Sequence, residues 1–150
     1  RDPPRPTKGP GPERRRGTGG ENPALRGGLG TTGTITGVST YLKSQNPQIQ
    51  IIGAQPAEGS SIPGIRKWPT AYLPKIYDAT RVDAEVSIEQ KDAEDMARRM
   101  ATEEGIFAGV SSGGALWAAL DIAKKVENAT IVFIVCDRGD RYMSTGIFDV

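Results

Sequence analysis

The sequence predicts an α/β fold, a parallel sheet with helices on both faces, and three observations predict it. Strand and helix patterns alternate from Gly30 to Cys136, two helix patterns open behind glycine-rich turns, and the last strand pattern, "ATIVFIVC" (129–136), is apolar throughout. Alternation with continuous apolar strands is the mark of a sheet buried on both sides by crossover helices.

Residues 1–28 stand apart. They hold two apolar side chains, Ala24 and Leu25, and the basic residues Arg1, Arg5, Lys8, Arg14, Arg15, Arg16 and Arg26. Such a segment buries too little surface to offset its ordering entropy, so it is expected to be disordered or extended. With no aromatic residue and scattered cations, it is not read as a nucleic-acid tail.

From Leu29 the character changes. "LGTTGTITG" (29–37) packs three glycines and four threonines ahead of a helix pattern that carries Ile35, Val38, Tyr41 and Leu42 on one face and stops at Asn46-Pro47. "IQIIGAQ" (49–55) is a β-branched strand, and residues 56–77, with four prolines and two glycines, are a long shaped loop. "RVDAEVSI" (81–88) is the next strand. Ser87 and Gln90 form a capping-box pattern before a helix with Ala93, Met96, Ala97, Met100 and Ala101 in one stripe. "GIFAGV" (105–110) is a third strand, "SSGGALWAALDIAKKVEN" a helix, residues 129–136 a fourth strand and "DRGDRY" a charged loop.

Composition removes several chemistries. The chain of 150 residues has 19 basic and 18 acidic side chains, a net charge of +1, no histidine and the single cysteine Cys136. An internal disulfide, a Cys/His metal site and imidazole base catalysis are therefore excluded, and no metal is expected. Near-neutral charge calls for no polyanionic partner. No apolar run reaches the roughly 20 residues a membrane helix needs, and the head lacks a secretion signal, so a cytoplasmic setting is expected.

The unpaired N–H groups of a first helical turn, with the positive end of the helix dipole, form a ready anion site. Gly30, Thr31, Thr32, Gly33 and Thr34 have the composition of a phosphate cup there: glycine admits the anion close to the backbone and threonine adds donors. A helix start packed tightly on a strand is the alternative. Gly33 is followed by threonine, so the turn is not a P-loop, and the 30, 33, 37 glycine spacing is not the dinucleotide fingerprint.

Four stretches in order, the threonine turn, "GAQPAEGSSIPGIRKWPTAYLP" (53–74), "EEGIFAGVSSGGA" (103–115) and "CDRGDRYMSTGIF" (136–148), resemble the carboxyl-terminal half of the cysteine synthase B (O-acetylserine sulfhydrylase B) family. That family lies among the fold type II, tryptophan synthase β-like, pyridoxal-phosphate enzymes. The resemblance covers residues 29–150 and implies a partial large domain, pyridoxal 5'-phosphate as cofactor, and β-replacement of O-acetylserine with sulfide or thiosulfate. It further implies a homodimer, a phosphate held by Gly30 to Thr34, and Ser111 bonded to the pyridine nitrogen. A neutral hydroxyl there tempers the electron sink and suits β-replacement. A serine opening the next helix is the compatible structural role.

Arg66 matches a position at the substrate entrance, where a guanidinium suits a sulfonate or carboxylate; a solvated surface arginine is the alternative. Cys136 falls near the cofactor ring, the alternative being a buried inert thiol. Asp137, Arg138, Asp140 and Arg141 read as a salt-bridged loop, and Trp68 and Trp117 as packing. The Schiff-base lysine of the family, which also shuttles the α-proton, is absent, so no catalytic residue is assigned. Lys8, Lys43, Lys67, Lys75, Lys91, Lys124 and Lys125 all lie in head, surface-helix or loop contexts. "TGG" (18–20) keeps the family spacing while "ENPALRGG" lacks the apolar strand expected there, which is what a shifted reading frame upstream of Leu29 would produce. The expectation is a chain inactive alone, against a non-catalytic phosphate- or cofactor-binding module or a pseudogene fragment.

Overall fold

The computed structural model describes residues 24–28, 33–67 and 78–149. Their order is β1 (Ala24–Gly28), α1 (Gly33–Gln45), β2 (Gln50–Pro56), a 3-10 turn (Ala79–Arg81), β3 (Ala84–Ile88), α2 (Gln90–Glu104), α3 (Val110–Ala123), β4 (Ile131–Val132) and a 3-10 segment (Gly139–Thr145). The strands form one sheet in the order β3-β2-β1-β4, with every pairing parallel.

The faces of the sheet are filled as the apolar pattern predicts. Ile51 clusters with Ile35, Val38 and Leu42 of α1, and Ile49 joins them. Ala54 and Ile88 cluster instead with Ala93 of α2 and with Val110 and Ala118 of α3. Residues 51 and 54 differ by an odd number along β2 and so face opposite sides. Helix α1 therefore covers one face, and α2 with α3 covers the other. Burying each large aliphatic side chain in these layers contributes roughly 1.5–3 kcal/mol.

Helix ends have local causes. After α1 the Asn46 carbonyl side chain accepts from the Gln48 N–H at 3.0 Å, an Asx turn that prepares the entry to β2. Helix α2 ends at Gly105, whose φ of 68° is left-handed and whose N–H caps the Met100 carbonyl. Helices α2 and α3 approach closely enough that a Cβ on Gly113 would lie 2.1 Å from the Ala93 carbonyl oxygen.

Four expectations differ. Ala24–Gly28, assigned to the unpacked head, is the inner strand β1, with Gly27 and Gly28 paired to Gly53 and Ala54 of β2. A backbone that bonds neighbours on both sides needs little apolar side-chain content to hold its place. The strand expected at 105–110 is a single antiparallel bridge, Ala108 to Arg138, because the chain leaves Gly105 and enters α3 at Val110. Among the described residues, the strand expected at 129–136 pairs only through Ile131 and Val132, opposite Ala24 and Leu25. Finally, Ser87 does not cap α2: the Gln90 N–H donates to Ser60 Oγ at 3.1 Å, and Ser60 Oγ donates to Glu89 Oε2 at 2.8 Å. A loop serine replaces the local one.

Candidate functional site

Strand order places the site. The chain runs β1, β2, β3 outward on one side, then returns to the other side of β1 as β4. In open parallel sheets this reversal leaves a crevice at the carboxyl ends of the two diverging strands, where ligands bind. Here those strands are β1, which runs toward the threonine-rich turn, and β4, which runs toward Cys136.

Gly33 and Thr34 form the first turn of α1, with Thr34 exposed. Gly30, Thr31 and Thr32 lie outside the described residues. At the start of α3 stand Ser111 and Ser112, 5% and 0% exposed. Their hydroxyls have different duties. Ser112 Oγ accepts from the Cys136 N–H at 3.2 Å, tying α3 to the segment after β4. Ser111 Oγ makes no hydrogen bond with the described residues, and it is not among the buried polar atoms left without a partner, so the hydroxyl keeps an opening to the surface. Gly64 lies against it, since a Cβ at Gly64 would be 3.1 Å from Ser111 Oγ, and its φ of 89° is one that glycine adopts readily. That contact brings the long loop onto the serine, a closeness the Ile-Pro-Gly-Ile spacing alone did not disclose.

The loop is held by Ile62 and Ile65, both 3% exposed, which join the cluster beneath α2 and α3. Its outer side, from Pro56 to Ser61 and on to Arg66 and Lys67, lines a cavity of about 530 Å³. Arg66 is exposed on that rim. Cys136 is exposed and in no disulfide, which corrects the buried-thiol alternative. Trp117 packs on the α2–α3 cluster, and Arg138 pairs with Asp140 at 2.8 Å. Asp137 bonds Tyr142 instead: the phenol donates to Asp137 Oδ2 at 2.5 Å. Burial and then this bond push the Tyr142 phenol up to about 12.

Of the lysines, Lys43 pairs with Asp83 and Lys125 with Asp121, Lys91 and Lys124 are exposed, and Lys67 is exposed on the cavity rim beside Arg66; Lys8 and Lys75 lie outside the described residues. Among the described residues no cluster of three or more Cys, Asp or Glu side chains is placed to hold a metal ion.

The family model described as "Pyridoxal-phosphate dependent enzyme" matches residues 11–137. The chain belongs to that family. Membership extends ahead of Leu29 into the head, in keeping with β1. Cysteine synthase B of Pseudomonas aeruginosa is 60% identical over 139 residues, 93% of this chain and 46% of that protein. Cysteine synthase B of Escherichia coli is 55% identical over 138 residues, again 46% of its length. A crystal structure of O-acetyl serine sulfhydrylase isoform 3 from Entamoeba histolytica superposes with a TM-score of 0.85 at 34% identity, covering 93% of this chain and 44% of that one. This chain thus spans about half the length of the pyridoxal-phosphate dependent relatives it matches.

Proposed function

We propose that this chain forms the carboxyl-terminal half of a cysteine synthase B-type site and binds pyridoxal 5'-phosphate, its phosphate at Gly30, Thr31, Thr32, Gly33 and Thr34 and its ring nitrogen at Ser111. The observation that carries the reading is Ser111. It is a largely buried residue whose hydroxyl is not spent on the protein, packed against Gly64, at the start of a helix beside a crevice of the kind that takes ligands in this fold.

Bound there, the cofactor supplies the electron sink for replacing the acetoxy group of O-acetylserine with sulfide or thiosulfate. The chain's own residues bind and orient. The first-turn N–H groups of α1 and the hydroxyl of Thr34 face the negative phosphate, where the helix dipole is favourable. Ser111 offers a neutral hydroxyl, so no carboxylate holds the ring nitrogen protonated. Arg66, on the cavity rim, attracts the sulfonate of thiosulfate or a substrate carboxylate. Cys136 borders the same crevice from the segment after β4.

The placement of the lysines supports binding without turnover by this chain alone, the covalent anchor being expected in the half of the relatives that it does not span. It equally favours the second reading, a cofactor-binding module. A cytoplasmic setting and a homodimer complete the proposal. No helix among the described residues is long and apolar enough to cross a membrane, and the exposed Ile106, Phe107 and Leu120 suit an apolar contact with another chain.

Fluorescence titration of the chain with pyridoxal phosphate and with pyridoxal tests the reading. The phosphorylated form is expected to bind at least about tenfold tighter, and Ser111→Ala to weaken it by about tenfold, the worth of one hydrogen bond to a buried group. Borohydride treatment should leave the chain mass unchanged. Equal binding of pyridoxal would overturn the phosphate cup, and a reduced lysine adduct would overturn the assignment of no catalytic lysine.

A further inference from the structure

The loops flanking the start of α3 are locked together by groups that the cofactor reading leaves unused. The Gly109 N–H donates to the Asp137 carbonyl at 3.3 Å, the Gly139 N–H to the Phe107 carbonyl at 3.1 Å, and Ala108 bridges Arg138. Gly109 is also the residue from which α3 springs. A Cβ there would lie 2.1 Å from Asp137 Oδ1 and 2.6 Å from Tyr142 Cε2, so the carboxylate and the phenol press directly on its backbone.

We infer that Asp137 and Tyr142 are positioning residues whose hydrogen bond clamps the segment after β4 onto the first turn of α3 and so fixes the direction of Ser111 Oγ. Asp137 depends on this single side-chain bond: Oδ2 is held by the phenol, while Oδ1 is buried without a partner among the described residues. Without the phenol, both oxygens of a carboxylate wedged against Gly109 lack a side-chain donor, and a poorly satisfied buried carboxylate moves toward water. Gly109 moves with it, and Ser111 lies two residues along the same turn. The Ser112 to Cys136 bond joins the same two segments, so one displacement shifts both serines. Burial and the bond to Asp137 push the phenol up to about 12, so it remains a donor through neutral pH.

The inference rests on the reading of Ser111 as a cofactor contact, and the test separates the two. Hydrogen exchange by mass spectrometry is measured for the full chain, for Tyr142→Phe and for Asp137→Asn, alongside titration with pyridoxal phosphate. The Tyr142→Phe variant is expected to exchange about tenfold faster in peptides covering 107–113 and 136–142, with α1 unchanged, and to bind pyridoxal phosphate more weakly. Asp137→Asn, which keeps an acceptor for the phenol, should leave both as they are in the unaltered chain. Unchanged local exchange in Tyr142→Phe would overturn the clamp, as would faster exchange spread equally through α1. Should Tyr142→Phe fail to fold, Asp137→Ser must show the same local loosening; loss of folding in both marks the pair as a structural support and overturns the inference. If the unaltered chain binds no pyridoxal phosphate, the reading of Ser111 fails, while the exchange result still decides the clamp.

Discussion

Asp83 holds α1 to the sheet: its Oδ1 accepts from Lys43 Nζ at 2.6 Å and its Oδ2 from the Ile51 N–H at 2.7 Å. One carboxylate thus joins a helix residue to the strand the helix covers, beside the cluster of Ile35, Val38 and Leu42. The partial burial of Asp83 would raise its pKa, but the Lys43 bond, the Ile51 N–H and the charge of Lys43 outweigh burial, and the pKa lies below 3.8.

A depressed carboxylate contributes stability above its unfolded pKa and loses it as pH falls through its folded one. Asp83→Ala should therefore cost about 1–2 kcal/mol near neutral pH and much less below about pH 3. Urea unfolding followed by circular dichroism at both pH values checks this. An equal cost at both would remove the charge from the explanation.

Tyr142 gives the opposite limb. Its phenol titrates higher in the folded chain than in the unfolded one, so the associated stability is complete below about pH 10 and declines as pH rises toward about 12. In Tyr142→Phe the alkaline decline in melting temperature should flatten, and the highest-pH tyrosine should vanish from a titration at 295 nm, a tyrosinate absorption wavelength.

Neighbouring glycines in α3 should respond differently. Gly113→Ala forces a methyl group against the Ala93 carbonyl and is expected to cost about 3 kcal/mol or more, whereas Gly114 meets only ordinary contacts at 3.5 Å. Gly114→Ala should be neutral or stabilising by up to about 1 kcal/mol, since alanine is the better helix former. Thermal melts of the two variants decide it.

Ser60→Ala should cost about 1 kcal/mol through loss of the cap on α2, and Ser87→Ala close to nothing. The reverse order would restore the local capping box.

Much of this was legible because period and punctuation agreed. The apolar positions of α1, the β-branched run of β2 and the stripe through Ala93, Ala97 and Met100 all fell where spacing put them. The strand at Ala24–Gly28 was illegible because its place comes from backbone bonds to β2 and β4, which leave no apolar trace in the sequence. "GIFAGV" misled for the converse reason: β-prone residues stand there, but Ile106 and Phe107 are 43% exposed, and one bridge is the only pairing among the described residues. At the site, the glycine turns were visible as motifs. The division of labour between Ser111 and Ser112, and the contact of Gly64, depend on tertiary approach and carry no local signal.

Successive residues of an α-helix point about 100° apart. The two adjacent hydroxyls of α3 are therefore distinguished by phase, and removing one residue between Gly109 and Ser111 would turn the helix by that angle and reassign both. The length of that short lead-in, more than the chemistry of either serine, decides which hydroxyl meets the Cys136 N–H and which does not.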